Sequence, residues 1–164
     1  AAVTRAVKRA AVAPVIVKLS PNVSDIAEIA RAVEDAGADA IAAINTVAGM
    51  VIDIRARQPV LANREGGLSG PAIKPVAVRC IYQCFQAVKI PILGIGGVSS
   101  GEDAAELLMA GATVVGVGSA VYARGVTALG QLRDELAQFM AAEGFAHAAD
   151  LVGLAHARAR GTDA

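Results

Sequence analysis

The sequence predicts an α/β protein built on a parallel sheet, and three observations carry that prediction. Its 164 residues are 55% hydrophobic but only 3% aromatic, with no Trp, so Ala, Val, Ile and Leu must form the core. Parallel strands covered on both faces by helices use that palette. Two short apolar strands end in glycine, Pro91-Ile-Leu-Gly-Ile-Gly-Gly97 and Val114-Val-Gly-Val-Gly-Ser-Ala120. Between them lies one helix-length segment, Ser100 to Ala110, closed by Gly111. Strand, glycine turn, helix, strand, glycine turn is the unit of a parallel sheet.

The remaining elements follow in order. Ala1 to Arg9 reads as a helix with a basic face, because no apolar signal core follows it. Pro14 breaks that pattern, and Val15-Ile-Val-Lys-Leu19 reads as a buried strand. Ser20 to Ser24 is a loop, with Ser24 the expected cap of a helix that runs through Ala36 and stops at Gly37. Ala40 to Asn45 is the second strand. Thr46 to Gly70 reads as a polar, glycine-rich loop, longer than ordinary connections and so suited to binding. Pro71 opens a helix to about Val88. After the glycine-ended strands come an amphipathic helix, Thr127 to Glu143, and a last helical piece around Asp150 to Ala159. These are four βα units without a linker, one domain over residues 1–164. Such units form either an open doubly wound sheet or part of a barrel.

Composition excludes several functions. Fifteen acidic and fifteen basic residues balance to a formal charge of zero, so with few aromatics nucleic-acid binding has little support. No apolar run reaches the roughly 18 residues of a membrane span, and a cytoplasmic location is expected. Cys80 and Cys84 share a helix face, and His147 and His156 stand far along the chain. That spacing suits neither a metal site nor a disulfide and reads as buried free thiols.

Chemistry concentrates at strand ends. Glycine there lets a ligand approach the backbone, and free amides with a helix N-terminus behind them favour a phosphate. Lys18, near the end of an apolar strand, shares a face with Ile16 and Ser20. It reads either as a solvent-reaching lysine or as a cation for an anionic ligand. Asn45-Thr46 closes the second strand, where an Asn offers donors and an acceptor to amide or imide edges, although turns also begin this way. Gly66-Gly-Leu-Ser-Gly-Pro-Ala-Ile-Lys-Pro75 places three glycines in five residues before a helix start. A simple helix-entry turn does not need all three.

Val17-Lys-Leu-Ser-Pro-Asn22, Ile44-Asn-Thr46, Gly66 to Pro75, Gly94-Ile-Gly-Gly97 and Gly116-Val-Gly-Ser-Ala120, in this order and spacing, resemble the C-terminal half of dihydroorotate dehydrogenase. The Gly66 to Pro75 form is most similar to the catalytic subunit of the class I, NAD-linked enzymes. The resemblance implies the C-terminal half, about four βα units, of a (β/α)8 TIM barrel with FMN across its mouth. It implies that Lys18 lies beside the flavin ring and stabilises the charge of the reduced form, that Ile44 packs near the ring, and that Gly70 brings backbone close. It further implies that Gly96, Gly97, Gly118 and Ser119 hold the FMN phosphate, and that Asn45 and Thr46 bond the pyrimidine. The implied reaction oxidises dihydroorotate to orotate in pyrimidine biosynthesis, and the implied partners are a second copy and an iron–sulfur FAD electron-transfer subunit.

The family's base is a cysteine on a loop that precedes the region of resemblance. No catalytic residue and no metal ligand is therefore expected within this sequence, and inactivity of the chain alone is expected. Alternatives are a flavin barrel like that of dihydropyrimidine dehydrogenase, a non-catalytic half-barrel that binds FMN or phosphate, and a sugar-phosphate barrel. The last would keep the glycine turns without needing Lys18, Asn45 and the Gly66 loop together.

Overall fold

The computed structural model describes residues 1–158. In chain order the elements are helix α1 (Ala2–Ala10), strand β1 (Ile16–Leu19), α2 (Ile26–Glu34), β2 (Ala40–Ala43), the short strands β3 (Val47–Met50), β4 (Ile52–Asp53), β5 (Gln58–Pro59) and β6 (Glu65–Leu68), and α3 (Lys74–Ala87) behind a 3₁₀ turn over Pro71–Ile73. Then come β7 (Ile92–Ile95), α4 (Gly101–Met109), β8 (Val114–Gly116), α5 (Ala120–Arg124), α6 (Ala128–Glu143), a 3₁₀ turn over Ala148–Leu151 and α7 (Leu154–Arg158).

The four expected strands form one sheet in the order β1-β2-β7-β8, every pair parallel. The register sets Lys18 beside Ala42, Ala42 beside Leu93 and Leu93 beside Val114. One face of this sheet is covered by α2, α3 and α4. Ile41, Ala43 and Ile92 pack there with Ala30, Ala77, Ile81, Cys84 and Leu107. Alanine and glycine let the layers approach: a Cβ at Gly94 would lie 2.7 Å from the Ala112 Cβ and 3.0 Å from Ile81 Cδ1. The opposite face carries Ile16, Lys18 and Val114, and Ile16 and Val114 are 55% and 58% exposed. Parallel sheets normally bury both faces, whereas the described residues cover this one on a single side.

Several boundaries differ from the expectations, each for a physical reason. The cap of α2 is Asp25 rather than Ser24, because its carboxylate accepts from the Ala27 and Glu28 amides at 2.8 and 3.2 Å. Thr46 to Gly70 is not an irregular loop. β3 pairs antiparallel with β6, and β4 with β5, so the excursion forms a narrow ribbon. Its strands are too short to show periodicity; packing across the ribbon needs glycine at Gly67, whereas at Gly66 the neighbour is a side-chain tip that can swing aside. A Cβ at Gly66 would lie 2.5 Å from Leu61 Cδ1, and one at Gly67 would collide with Thr46. Asn22 braces the ribbon base, donating to the Thr46 carbonyl at 3.1 Å and accepting from the Ala48 amide at 2.8 Å. The last helical piece divides into the 3₁₀ turn and α7; Ala159 lies outside the described residues. α5, with five residues, had no readable sequence signal.

Cys80 and Cys84 are buried free thiols in α3, as their spacing suggested. Nearby, His156 of α7 stacks on Tyr82 with ring centroids 3.8 Å apart and its Nε2 donates to the Ala110 carbonyl at 3.0 Å. No helix among the described residues is long and apolar enough to cross a membrane.

Candidate functional site

Every parallel strand delivers its C-terminal end to the same place. β1 ends near Lys18; β2 is followed by Ile44, Asn45 and Thr46, β7 by Gly96 and Gly97, and β8 by Gly118 and Ser119. Backbone bonds lock these ends together. The Ile44 amide donates to the Ile95 carbonyl and the Asn45 amide to the Leu19 carbonyl, both at 2.8 Å. The Ala43–Ile44 peptide is cis. Gly70, at the entrance to α3, comes to the same point, since a Cβ on it would lie 3.9 Å from Ser119 Oγ. All nine residues singled out in the sequence line one cleft of about 100 Å³, together with Ser69, Ile73, Ile95, Val98 and Gly116.

The cleft is polar in a specific way. Lys18 is exposed and, among the described residues, has no carboxylate within 4.0 Å. The Asn45 side-chain amide is likewise uncommitted among them. The amides of Gly97, Gly118 and Ser119 donate to no other group of the described protein. A cation, an amide and several free backbone donors therefore face one opening, which suits an anionic ligand with hydrogen-bonding edges.

The glycines are there for different reasons. At Gly97, φ is +75° and a Cβ would lie 2.7 Å from the Lys74 backbone nitrogen. A Cβ at Gly96 would lie 2.6 Å from the Ala77 Cβ. Close approach of α3 thus accounts for both without any ligand. Around Gly118, by contrast, nothing lies within 4 Å of an added Cβ. No neighbour among the described residues requires glycine there.

One expectation fails. The N-terminus of α4, behind the first glycine turn, is not open to an anion, because the protein's own carboxylates fill it. Asp103 Oδ2 accepts from the Ser99 and Ser100 amides at 2.9 and 3.0 Å, and Glu135 Oε2 accepts from the Gly101 amide at 2.9 Å. Asp103 Oδ1 also takes the Lys74 ammonium at 2.7 Å, and Lys74 reaches Glu106 at 2.6 Å.

Burial pushes the Asp103 carboxyl up, but Lys74 and the Ser99 donors outweigh it and leave the group at about 2. Lys74 is raised from 10.5 to about 12 by Asp103 and then Glu106. A lowered acid contributes stability above its unfolded pKa and loses it as pH falls through 2, while a raised base contributes below 10.5 and loses it as pH rises through 12. The stability difference between the wild type and Lys74→Met is therefore expected to stay flat from pH 5 to 9 and shrink outside that window. Denaturant melts across pH test this, and a difference that grows toward pH 11 would contradict it.

Neither thiol can act at this cleft as a ready nucleophile or base. Both sit in the core, and burial first, then neighbouring charge, pushes the Cys84 thiol up to about 12. Among the described residues no group of three His, Cys, Asp or Glu could hold a metal ion.

Comparison with known proteins gives a consistent result. A family model described as dihydroorotate dehydrogenase matches residues 1–140. The chain is 54% identical over 155 residues to a protein of Methanosarcina mazei named dihydroorotate dehydrogenase B (NAD(+)), catalytic subunit, covering 94% of this chain and 49% of that protein. A protein of the same name from Desulforamulus reducens is 51% identical over 156 residues, 95% of this chain and 51% of its own. A Solibacter usitatus protein, provisionally named dihydroorotate dehydrogenase A (fumarate), is 51% identical over 153 residues, 93% of this chain and 50% of its own. The chain spans about half the length of the relatives it matches.

Proposed function

The chain belongs to the dihydroorotate dehydrogenase family, and on that premise we propose that it forms the C-terminal half of a (β/α)8 barrel. In this reading it is one domain that holds FMN at the strand ends and takes part in oxidising dihydroorotate to orotate in the cytoplasm. Electrons would leave toward NAD through a partner subunit. One observation carries the reading: nine residues spread from Lys18 to Ser119 line a single cleft at the C-terminal ends of four parallel strands. Catalytic and binding residues of barrels come from those ends. The one-sided cover of the sheet supports the half-barrel, since the bare face is where further strands would enclose a core.

The residues fit FMN. The unengaged amides of Gly97, Gly118 and Ser119, with the backbone of Gly96, would hold its phosphate, and the open space at Gly118 leaves room for it. Ile44 gives an apolar edge and Gly70 close backbone for the ring. Lys18 supplies the cation beside it, and Asn45 and Thr46 offer donors and acceptors to a pyrimidine. FMN supplies the two-electron chemistry, and the protein binds and orients. At about 100 Å³ the cleft is smaller than the few hundred Å³ usual for a cofactor site, which fits a site completed by further walls.

This reading leaves the base outside the sequence, since both cysteines are buried in α3. For the chain by itself that favours a second reading, FMN binding without turnover. Dihydroorotate oxidation by the chain alone is expected to be undetectable, and clear turnover would overturn this placement of the base. The exposed apolar side chains of the ribbon, Val51, Ile54, Val60 and Leu61, support a surface for a second copy or for an iron–sulfur FAD subunit.

Gly118→Ala tests the cofactor site. With nothing within 4 Å of the new methyl, thermal stability is expected to stay within about 0.5 kcal/mol of the wild type. FMN affinity, read by flavin fluorescence, is expected to fall at least tenfold. Unchanged affinity, or a wild type that ignores added FMN, would remove the reading's support.

A further inference from the structure

Gly97 and Gly118 stand on different βα turns, yet a chain of polar contacts outside the cleft ties their supports together. Ser99 is its centre. Its amide and hydroxyl donate to Asp103 Oδ2 at 2.9 and 2.8 Å, and its carbonyl accepts from Arg124 Nη1 at 2.8 Å. Asp103 reaches on to Lys74, whose backbone abuts Gly97. Arg124 ends α5, the helix that begins directly after Ser119. It also grips Glu135 of α6 through both Nη atoms, and Glu135 holds the Gly101 amide at 2.9 Å.

The two turns differ in what holds them. Gly97 is buried under the Lys74 backbone, whereas Gly118 is exposed and has no neighbour at its Cβ position. The second turn therefore depends on a tether, and Arg124 is placed to be it. A guanidinium is a rigid fork that bonds a carbonyl and a carboxylate at once, which a lysine ammonium cannot do with the same geometry. Preorganised donors lose much of their value when displaced by less than an ångström.

We propose that Ser99, Asp103 and Arg124 are positioning residues that fix the spacing of the Gly97 and Gly118–Ser119 turns. They thereby set affinity for the phosphate of the bound ligand without touching it. This rests on the reading that the two turns hold the FMN phosphate. A network that only stabilised the fold would affect all ligands alike; one that positions the turns must discriminate between FMN and riboflavin, which lacks the phosphate.

The test measures both ligands by fluorescence quenching on the full chain, with a thermal melt of each variant. Wild type is expected to bind FMN at least tenfold more tightly than riboflavin. In Arg124→Gln that preference is expected to fall at least tenfold while riboflavin affinity moves less than twofold. Arg124→Lys should recover only part of the loss. Ser99→Ala, which keeps the amide and carbonyl, should lower the preference about threefold. Glu135→Gln, which keeps an acceptor for the Gly101 amide, should do the same and decides the matter if Arg124→Gln does not fold.

A preference left intact in these variants, or equal losses for both ligands that track the melting temperature, would overturn the positioning role and leave the FMN site standing. A wild type that binds the two ligands equally, or neither, would overturn the phosphate site and this inference with it.

Discussion

Gly101→Ala is expected to destabilise the chain by about 3 kcal/mol, a fall in Tm of roughly 6–12 °C. Gly101 is the first residue of α4, and a Cβ built on it collides with the backbone of Glu135 and Leu136 in α6. Backbone atoms inside a helix cannot swing aside as a side-chain tip can, so α6 must lift off. Lifting it also draws the Glu135 carboxylate from the Gly101 amide, leaving a buried donor unpaired. Thermal and denaturant melts measure the effect, with Gly118→Ala as the control in open space. A Tm within a degree of wild type would show that the α4–α6 contact yields easily.

Lys18→Met is expected to have the largest functional effect. Methionine keeps the length and apolar stem of the side chain but removes the one uncommitted cation of the cleft among the described residues. With FMN held as proposed, losing a charge-assisted contact of about 1.5–3 kcal/mol is expected to lower the flavin's reduction potential by roughly 30–60 mV. Equilibration with a redox dye reads this directly. Because Lys18 is exposed on a strand end, stability should hardly change. A potential that stays put would remove Lys18 from the neighbourhood of the ring.

Much of this arrangement was legible before the structure. Three of the four parallel strands declare themselves by short apolar runs closed with glycine or proline and the second, Ala40–Ala43, by an apolar run closed with Asn45-Thr46, and the chain order of Lys18, Asn45, Gly97 and Ser119 places them at equivalent strand ends. What stayed hidden depends on partners distant in sequence. In the structure Asp103 closes a capping box with Ser100 at the start of α4, and that it also holds Lys74, 29 positions away, has no local sign in the sequence. Nor can the sequence separate Gly97 from Gly118, since the same letter answers the approach of α3 in one case and open space in the other. The ribbon has the sequence of a loop because pairs such as Ala48 with Gly67 form across a segment with no alternating pattern.

The edge position of β1 and β8 among the described residues has a consequence for how the protein opens. Each of these strands pairs on a single side, while β2 and β7 are paired on both. Deuterium uptake should therefore enter from the rims, with the amides of Ile41, Ala43 and Ile92 exchanging last. Those residues sit beneath α3, whose first turn also carries Lys74. The slowest-exchanging core and the anchor of the Gly97 turn then belong to one cooperative unit, while Gly118 and Ser119 ride on the rim that loosens first.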